Sequence, residues 1–209
     1  LPLIYPWKTA YGEDADIHSI LVRMFSGDYE GWGETTPFFA PTYSPETASA
    51  AFFLITQVFG PTIVGKDWAS AAALRDYLAV FKGNPFAKAG VEIAWWNLEA
   101  RIKEIPLHRL LGGKTRLVEA GQDFGVQDSL DMLLGNIEKA VKQGFKRIKL
   151  KAKPGWDVEM LGAVRGAFPK MTFHIDCNSG YTLGHLPLFK KIDKFHLAMI
   201  EQPLFHDDL

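Results

Sequence analysis

The chain has 209 residues, of which 47% are hydrophobic and 22% are charged, so it is long enough for a sizeable core and has the composition of an ordinary globular protein. Its formal net charge of −1 leaves no excess of either sign, and we therefore expect neither nucleic acid nor an anionic membrane as a partner. The single cysteine, the lack of an apolar run of membrane-spanning length and the lack of a signal-peptide pattern together predict a cytoplasmic protein without an internal disulfide.

The first part of the chain is predicted to be an α+β unit. Residues 1 to about 37 alternate apolar and polar side chains around turns, which is typical of antiparallel strands. A proline-rich loop follows over 37–45, and Ser44 before Pro45 predicts the start of a helix with Ser44 as its cap. A stripe of apolar residues over 88–103 predicts a longer helix.

Beyond residue 114 the pattern changes to strands that alternate with helices. The predicted strands lie near 117–124, 146–151, 172–177 and 197–201, and the predicted helices lie near 128–143, 157–167 and 183–194. Such alternation favours parallel strands with right-handed crossovers, the arrangement of a TIM-type β/α barrel. Only four strands are predicted where a closed barrel has eight, and the chain starts at Leu1 rather than at a methionine. We therefore expect a fragment, or a chain that needs a partner to close its sheet.

Polar side chains end three of these predicted strands at equal intervals. Lys149 and Lys151 end the second strand, Asp176 ends the third with Asn178 just after it, and Glu201 ends the fourth. Lys151 and Asp176 are 25 positions apart, as are Asp176 and Glu201. Because β/α barrels build their active sites from the C-terminal ends of successive strands, these residues predict one site. Side chains alternate along a strand, so the polar faces are expected to point into the barrel and the apolar faces toward the helices.

The residue types predict a base beside a metal ion. Asp176 and Glu201 are the predicted ligands, with Asn178 in or next to the metal shell, and an all-oxygen set favours Mg²⁺, with Mn²⁺ as an alternative. Lys151 is the predicted base, which removes a proton next to a substrate carboxylate while the metal stabilises the enediolate. The neighbouring ammonium group of Lys149 favours the neutral form of that base through charge repulsion.

These residues resemble the enolase superfamily, and within it the muconate-lactonizing enzyme subgroup. The Lys-x-Lys, Asp-x-Asn and Glu-Gln-Pro elements match that subgroup in order and spacing. Residues 31–34 (Gly-Trp-Gly-Glu) look like the end of its lid-domain strand, 89–100 look like its signature helix, and 106–113 look like the segment that joins lid to barrel. The run from Arg147 to Glu159 is most similar to the o-succinylbenzoate synthase and N-acylamino acid racemase branch.

The resemblance implies an α+β lid domain over 1–112, whose first strand is missing, and a partial β/α barrel over 113–209 with strands one to four. It also implies that the loops at 7–12 and 37–44 close over the substrate. Relatives carry a third carboxylate ligand on the fifth strand and a second catalytic lysine on the sixth, and both would lie beyond Leu209.

Several further residues are candidates for substrate contact. The aromatic side chains in the second of these loops would suit an apolar or aryl substituent: Phe38, Phe39 and Tyr43. Asp123, at the end of the first barrel strand, is a candidate for contacting either the substrate or a lysine. His174 shares a strand face with Asp176, and we expect it to bond to a neighbour rather than to the metal.

The resemblance implies Mg²⁺-dependent abstraction of a proton next to the carboxylate of a small-molecule substrate. The leading hypothesis is a lyase that forms o-succinylbenzoate by dehydration, a step of menaquinone biosynthesis. The second is an N-acylamino acid racemase or a related epimerase or cycloisomerase. Syn-dehydration can use Lys151 as both base and acid, whereas racemisation needs groups on both faces of the substrate, and the visible residues do not separate the two. A third hypothesis is an inactive fragment or non-catalytic binding module, and the question of a homo-oligomer stays open.

Overall fold

Two units make up the chain, each with its own buried core. The computed structural model describes residues 1–10, 12–114 and 117–205. The first unit comprises Leu1–Pro2 and Asp16–Arg116, and the second comprises Leu3–Ala15 and Leu117–Leu209. The predicted domain boundary at residue 112 stays a prediction.

The second unit takes in most of the first two strands of the chain. These are β1 (Pro2–Thr9) and β2 (Gly12–Asp16), which pair with each other. Residues 3–15 therefore group with the C-terminal half of the sequence, a long-range association that the local strand pattern does not reveal.

The first unit combines an antiparallel strand pair with helices. Strands β3 (Ile20–Ser26) and β4 (Tyr29–Thr35) are antiparallel, as the alternating pattern predicts, and their register places Val22 opposite Gly33. The helical elements that follow are α1 (Ala48–Phe53), a π-helical turn (Leu54–Phe59), α2 (Gly60–Ile63), α3 (Ala71–Leu78), α4 (Pro85–Ile102) and α5 (Leu107–Leu110). The predicted long helix corresponds to α4.

The glycines of β4 allow this strand to lie directly on α4. A Cβ atom at Gly31 would overlap backbone atoms of Ala94 and Leu98, and one at Gly33 would overlap backbone atoms of Gly90 and Ala94. The two backbones therefore approach more closely than side chains on β4 would permit. This close approach is the physical basis of the Gly-Trp-Gly-Glu run.

The helix start predicted at Ser44 is wrong. Thr47 caps α1 instead, with its hydroxyl accepting a hydrogen bond from the first turn of the helix. Glu46 caps a different helix: its buried carboxylate accepts hydrogen bonds from the backbone N–H groups of Phe86 and Ala87, at 2.9 and 3.1 Å, at the start of α4. A carboxylate at a helix N-terminus satisfies free amides and interacts favourably with the helix dipole, and this distant contact determines where the residue lies.

The second unit is built on a parallel sheet whose strand order follows the chain. Its strands are β5 (Gly121–Phe124), β6 (Arg147–Lys151), β7 (Thr172–Asp176) and β8 (Ile200–Glu201). Its connecting helices are α6 (Leu130–Lys142), α7 (Asp157–Ala167) and α8 (Leu186–Ile192), the last flanked by 3₁₀ turns at Leu183–His185 and Asp193–Phe195. The predicted alternation of strands and helices, the first half of a β/α barrel, is confirmed.

Strand β5 is shorter than predicted. Gly121 pairs with Arg147, the first residue of β6, so the ladder between β5 and β6 begins at these two residues. Val118 is accordingly exposed. The length of a strand depends on its neighbour as well as on its own sequence.

The apolar face of the sheet packs against the three helices and forms the core of the second unit. The sheet residues in this core, each at most 1% exposed, are Ile148, Leu150, Phe173 and Ile175. The helix residues packed on them include Leu133, Ile137, Met160, Leu161 and Val164. Burial of this face leaves the other face of the strands for polar side chains, as the alternation predicts. None of the helices in the described part of the chain has the length and apolar composition needed to cross a bilayer.

Candidate active site at the strand ends

Strand register brings the predicted site residues together. Lys151 pairs with Asp176 across β6 and β7, and Asp176 pairs with Glu201 across β7 and β8. Lys149 lies two positions before Lys151 and therefore on the same face of the sheet, opposite the buried apolar core. Ile148 in β6 and Phe173 and Ile175 in β7 are of the β-branched and aromatic types that favour the extended backbone.

The four charged side chains form one ion-pair cluster. The Nζ atom of Lys151 lies 2.8 Å from Oδ2 of Asp176, and the Nζ atom of Lys149 lies 2.8 Å from the same oxygen. Lys149 is also 2.8 Å from Oε2 of Glu201. One ammonium group thus bridges both predicted metal ligands, so their oxygens converge on a single cation-sized position.

Burial makes these charges sensitive to their partners. Asp176 is 2% exposed, and burial would raise its pKa, but hydrogen bonds from Lys149, Lys151 and the backbone N–H of Asn178 outweigh burial and hold that pKa below its ordinary value. Burial likewise opposes the charge of Lys149, yet its hydrogen bonds to Asp176 and Glu201 hold its pKa above the ordinary value. The metal-free cluster is therefore ionic, with its two signs mutually stabilised.

The loops after β7 and β8 hold the site in an unusual backbone conformation. Asn178, Ser179 and Gln202 have φ angles of +44°, +59° and +42°, in the left-handed region that non-glycine residues rarely adopt. The N–H of Ser179 donates to the carbonyl of Gln202 at 2.7 Å, and the N–H of Asn178 donates to Oδ1 of Asp176 at 2.9 Å. Strained backbone of this kind clusters at functional sites, where the surrounding contacts maintain it.

The donor set fits a hard divalent cation. Two carboxylates converge on one cation, and the Oδ1 atom of Asn178 is buried without a hydrogen-bond partner among the described residues. The described residues contain no group of three or more acidic, histidine or cysteine side chains arranged to hold an ion. Mg²⁺ is commonly held by one or two carboxylates together with waters or substrate oxygens, so the residues present fit part of such a shell.

Asp123 and His174 adjoin this cluster. Asp123 pairs in register with Lys149, and its buried Oδ1 has no hydrogen-bond partner in the described part of the chain. Burial raises the pKa of Asp123 despite the opposing charges of Lys151 and Lys149. The Nε2 atom of His174 lies 4.0 Å from Oε2 of Glu201, and burial, followed by the nearby positive charges, lowers its pKa, which favours a neutral ring. Both residues are placed to influence the charge of the site.

Comparison with known proteins identifies the family. Residues 1–112 match the family described as "Mandelate racemase / muconate lactonizing enzyme, N-terminal domain", and residues 133–209 match "Enolase C-terminal domain-like". The chain belongs to the mandelate racemase/muconate lactonizing enzyme family. The predicted membership of the enolase superfamily is thereby confirmed.

Two of the most similar relatives carry different activities in their names. The chain is 43% identical over its whole length to the "N-succinylamino acid racemase" of Thermus thermophilus, covering 57% of that protein. It is 40% identical over 98% of its length to the "o-succinylbenzoate synthase" of Geobacillus kaustophilus, covering 55% of that protein. A crystal structure of an enolase superfamily member from Listeria innocua superposes with a TM-score of 0.91 at 32% identity, over 98% of this chain and 56% of the other. The chain therefore spans just over half the length of the relatives that it matches.

Beside the sheet of this enolase superfamily chain, the second unit contains a cavity of about 590 Å³. It is lined by Trp7 and Lys8 of β1, by Asp123 and Phe124 of β5, and by Met132 of α6. Within the same unit, a Cβ atom on Gly180 would lie 2.7 Å from the Cβ of Ala10, so Ala10, just after β1, lies against the loop after β7. The predicted loop at 7–12 is shorter than expected, because residues 7–9 belong to β1 and Gly12 begins β2, and Tyr11 lies outside the described residues. That this loop closes over a substrate stays a prediction.

The aromatic candidates belong to the first unit. Phe38 and Tyr43 contact each other with ring centroids 6.0 Å apart, and Phe39 contacts His18 at 5.4 Å. Phe39 is 70% exposed, so its apolar ring is accessible. Their role toward a substrate stays a prediction.

Sequence reasoning missed one polar contact close to the site. The hydroxyl of Tyr181 donates to Oδ1 of Asp157, and both residues are buried. Neither residue ends a strand, and the polar-residue pattern that pointed to the other positions therefore gives no signal for this pair. Cys177, between Asp176 and Asn178, is also buried, and burial followed by nearby carboxylates raises the pKa of its thiol to about 12.

Proposed function

We propose that this chain supplies the base and two metal ligands of an enzyme that removes a proton next to a substrate carboxylate. The observation that carries the proposal is the bridging position of Lys149, 2.8 Å from both Asp176 and Glu201, with Lys151 at the same distance from Asp176. A lysine beside two carboxylates that converge on one cation is the arrangement that such chemistry requires.

The proposed cofactor is Mg²⁺, with Mn²⁺ as a substitute. Enolase superfamily enzymes generally use Mg²⁺, which is a property of the superfamily rather than a result for this chain. Asp176 and Glu201 would hold the ion, and the buried amide oxygen of Asn178 would extend or support its shell. When bound, the metal would stabilise the negative charge that develops on the substrate carboxylate.

The side chains have distinct proposed roles. Lys151 takes the proton from the carbon next to the carboxylate, and its small exposed fraction, 8%, keeps bulk water from that proton. Lys149 supplies a fixed positive charge beside the substrate carboxylate. Asp123, which is protonated more readily than an exposed aspartate, would contact the substrate or a lysine from the first strand.

The leading reaction is dehydration to o-succinylbenzoate, a step of menaquinone biosynthesis. Lys151 can serve it alone, first as the base and then as the acid that protonates the departing hydroxyl group, because both events occur on one face of the substrate. The 40% identity with an "o-succinylbenzoate synthase" supports this choice.

The second candidate is racemisation of an N-acylamino acid. The 43% identity with an "N-succinylamino acid racemase" supports it. This reaction needs an acid/base group on each face of the substrate, and Lys151 would supply one of them. A non-catalytic binding role is the remaining alternative.

One assay of the full-length protein separates these proposals. Purified protein with Mg²⁺ is given either the hydrated, non-aromatic precursor of o-succinylbenzoate or an N-succinylamino acid in deuterated water. Formation of the aromatic product, measured by its absorbance, supports dehydration, and deuterium at the α-carbon with loss of optical rotation supports racemisation. Racemisation without dehydration would reverse our ranking. If the protein catalyses neither reaction, the non-catalytic binding role is the alternative that remains.

A further inference from the structure

The buried contact between Tyr181 and Asp157 has no role in the proposed chemistry. Tyr181 is 1% exposed and Asp157 is 3% exposed, and the tyrosine hydroxyl donates to Oδ1 of the carboxylate. The other carboxylate oxygen, Oδ2, is buried with no hydrogen-bond partner among the described residues. Burial raises the pKa of Asp157, although the Tyr181 hydroxyl and nearby backbone N–H groups oppose that shift. Such a group is costly to keep in a core, so its retention calls for a reason.

Tyr181 connects the loops that follow three neighbouring strands. Asp157 begins α7, directly after the loop that follows Lys151. Tyr181 lies in the loop that follows Asp176, and its backbone N–H donates to the carbonyl of Pro203 at 3.2 Å, in the segment after Glu201. One residue therefore contacts the segments that extend from β6, β7 and β8.

The segment that Tyr181 anchors is the strained one. Between Asp176 and Tyr181 the chain passes through Asn178 and Ser179, both with positive φ, and Ser179 bonds to the equally strained Gln202. The N–H of Cys177 adds a bond to the carbonyl of Glu201 at 2.9 Å. A strained backbone persists only where its surroundings over-determine it, and a buried anchor at its far end supplies that constraint.

We propose that Tyr181 and Asp157 are a positioning pair, which holds the loops after β6, β7 and β8 together and so maintains the separation between the Lys151 amine and the carboxylates of Asp176 and Glu201. The proposal rests on the proposed function, in which those three side chains act on one substrate. Among the described residues, no hydrogen bond or ion pair joins the side chains of this pair to the ion-pair cluster, so the pair acts through the backbone. Displacement of a catalytic group by about 1 Å can cost two orders of magnitude in rate, so a distant anchor can matter for turnover.

The same helix offers a matched control at its other end. The guanidinium group of Arg165, on α7, donates to the carbonyls of Met171 at 2.8 Å and Phe195 at 2.9 Å, in the segments just before β7 and β8. Arg165 thus joins α7 to the segments before β7 and β8, whereas Tyr181 and Asp157 join the segments after the strands. In β/α barrels the catalytic residues lie at the carboxyl ends of the strands, and the residues at the amino ends contribute to stability. An Arg165 variant should therefore lose stability without disturbing the site.

Steady-state kinetics of the full-length protein give the first test. Tyr181→Phe removes only the hydroxyl group and is expected to lower kcat about ten- to hundredfold at saturating Mg²⁺, the usual effect of losing a residue that orients site groups. Asp157→Asn keeps an oxygen acceptor for the tyrosine and is expected to stay within about threefold of wild type. Arg165→Met is expected to lower the melting temperature but to leave kcat within about twofold.

Amide hydrogen exchange gives the second test and needs no substrate. Tyr181→Phe is expected to speed exchange at the N–H groups of Cys177 and Ser179 by about tenfold or more, and Arg165→Met is not. Asp157→Ala removes the acceptor of the tyrosine hydroxyl, and we expect it to lower kcat and speed amide exchange as Tyr181→Phe does. It takes the place of Tyr181→Phe if that variant does not fold. The proposal would be overturned if Tyr181→Phe lost kcat without faster exchange, or showed faster exchange without loss of kcat. It would also be overturned if Arg165→Met showed both effects. If the wild-type protein catalyses neither reaction, the proposed function fails, and exchange alone then decides whether the pair holds the loops.

Discussion

Lys151 and Asp176 are register partners on adjacent parallel strands, and the lysine ammonium donates to the aspartate carboxylate at 2.8 Å. The contact follows from strand pairing, because both residues are the last of their strands and their side chains lie on one face of the sheet. A shift of one residue in the pairing would turn Lys151 toward the helices, where Leu150 now packs. The buried apolar face therefore enforces the geometry of the polar one.

The role of Lys151 is tested by removing its amine. Lys151→Ala is expected to reduce kcat by about two orders of magnitude or more in either proposed reaction, because no general base then stands beside the proton. The control is Lys146→Ala, which removes an exposed lysine just before the amino end of the same strand. Turnover by Lys151→Ala close to that of Lys146→Ala would show that the base is a different residue.

The metal-binding role of Glu201 is tested by titration with Mg²⁺. Glu201→Gln keeps the size of the side chain and removes its charge, and we expect the dissociation constant measured by calorimetry to rise by at least about tenfold. Glu138→Gln is the matched control, since it makes the same change at an exposed glutamate of α6 that pairs with Lys142. Equal affinities in the two variants would remove Glu201 from the metal shell.

Asp176 makes the stability of the metal-free chain depend on pH. Its pKa in the folded state is lowered, so its ion pairs with Lys149 and Lys151 contribute stability above the pKa of an unfolded aspartate, about 3.9, and lose it as the pH falls from there through the lower folded value. Lys149 sets the upper end of the pH range in which these ion pairs stabilise the chain, because its pKa is raised in the folded state. Its contribution to stability is complete below the pKa of an unfolded lysine, about 10.4, and is lost as the pH rises through the higher folded value.

Urea unfolding in the presence of a chelator measures this dependence. We expect the free energy of unfolding of the wild type to fall more steeply than that of Asp176→Asn as the pH is lowered below about 4. Asp131→Asn, at an exposed position of α6, serves as the control for loss of one carboxylate. Parallel curves for wild type and Asp176→Asn would contradict the assigned ion pairs.

The close packing of β4 on α4 is tested by adding one methyl group. Gly33→Ala would place a Cβ among backbone atoms of Gly90 and Ala94, which cannot move aside as side chains do, and we expect a loss on the order of 3 kcal/mol or more. Gly135→Ala is the contrasting variant, because this position in α6 is helical with nothing within 4 Å, and there we expect a gain of about 0.5 to 1 kcal/mol. Thermal unfolding of the two variants should therefore shift in opposite directions, and a shift in the same direction would argue against the backbone contact.

The periodicity of apolar residues predicted helices and strands correctly where the apolar side chains of one element pack on a single neighbouring face. Helix α7 covers the predicted residues 157–167, because its buried side chains repeat at helical spacing and face one sheet. Strand β5 was predicted too long, because its length depends on where β6 begins. The cap of α1 was wrongly predicted at Ser44, because the position of the following Glu46 depends on its bonds to the distant N-terminus of α4. Errors of this kind are expected wherever a distant element decides a local boundary.

The sequence by itself determined that amines and carboxylates end successive parallel strands on one face, because a two-residue side-chain period and a strand-helix repeat leave little freedom in where those residues point. Only the tertiary structure decided that Lys149 bridges Asp176 and Glu201, that residues 3–15 group with the parallel sheet, and that Tyr181 and Asp157 meet in the core. These contacts join residues far apart in the chain, and their distances depend on how side chains pack and pair charges in three dimensions. No local pattern of residues encodes that outcome.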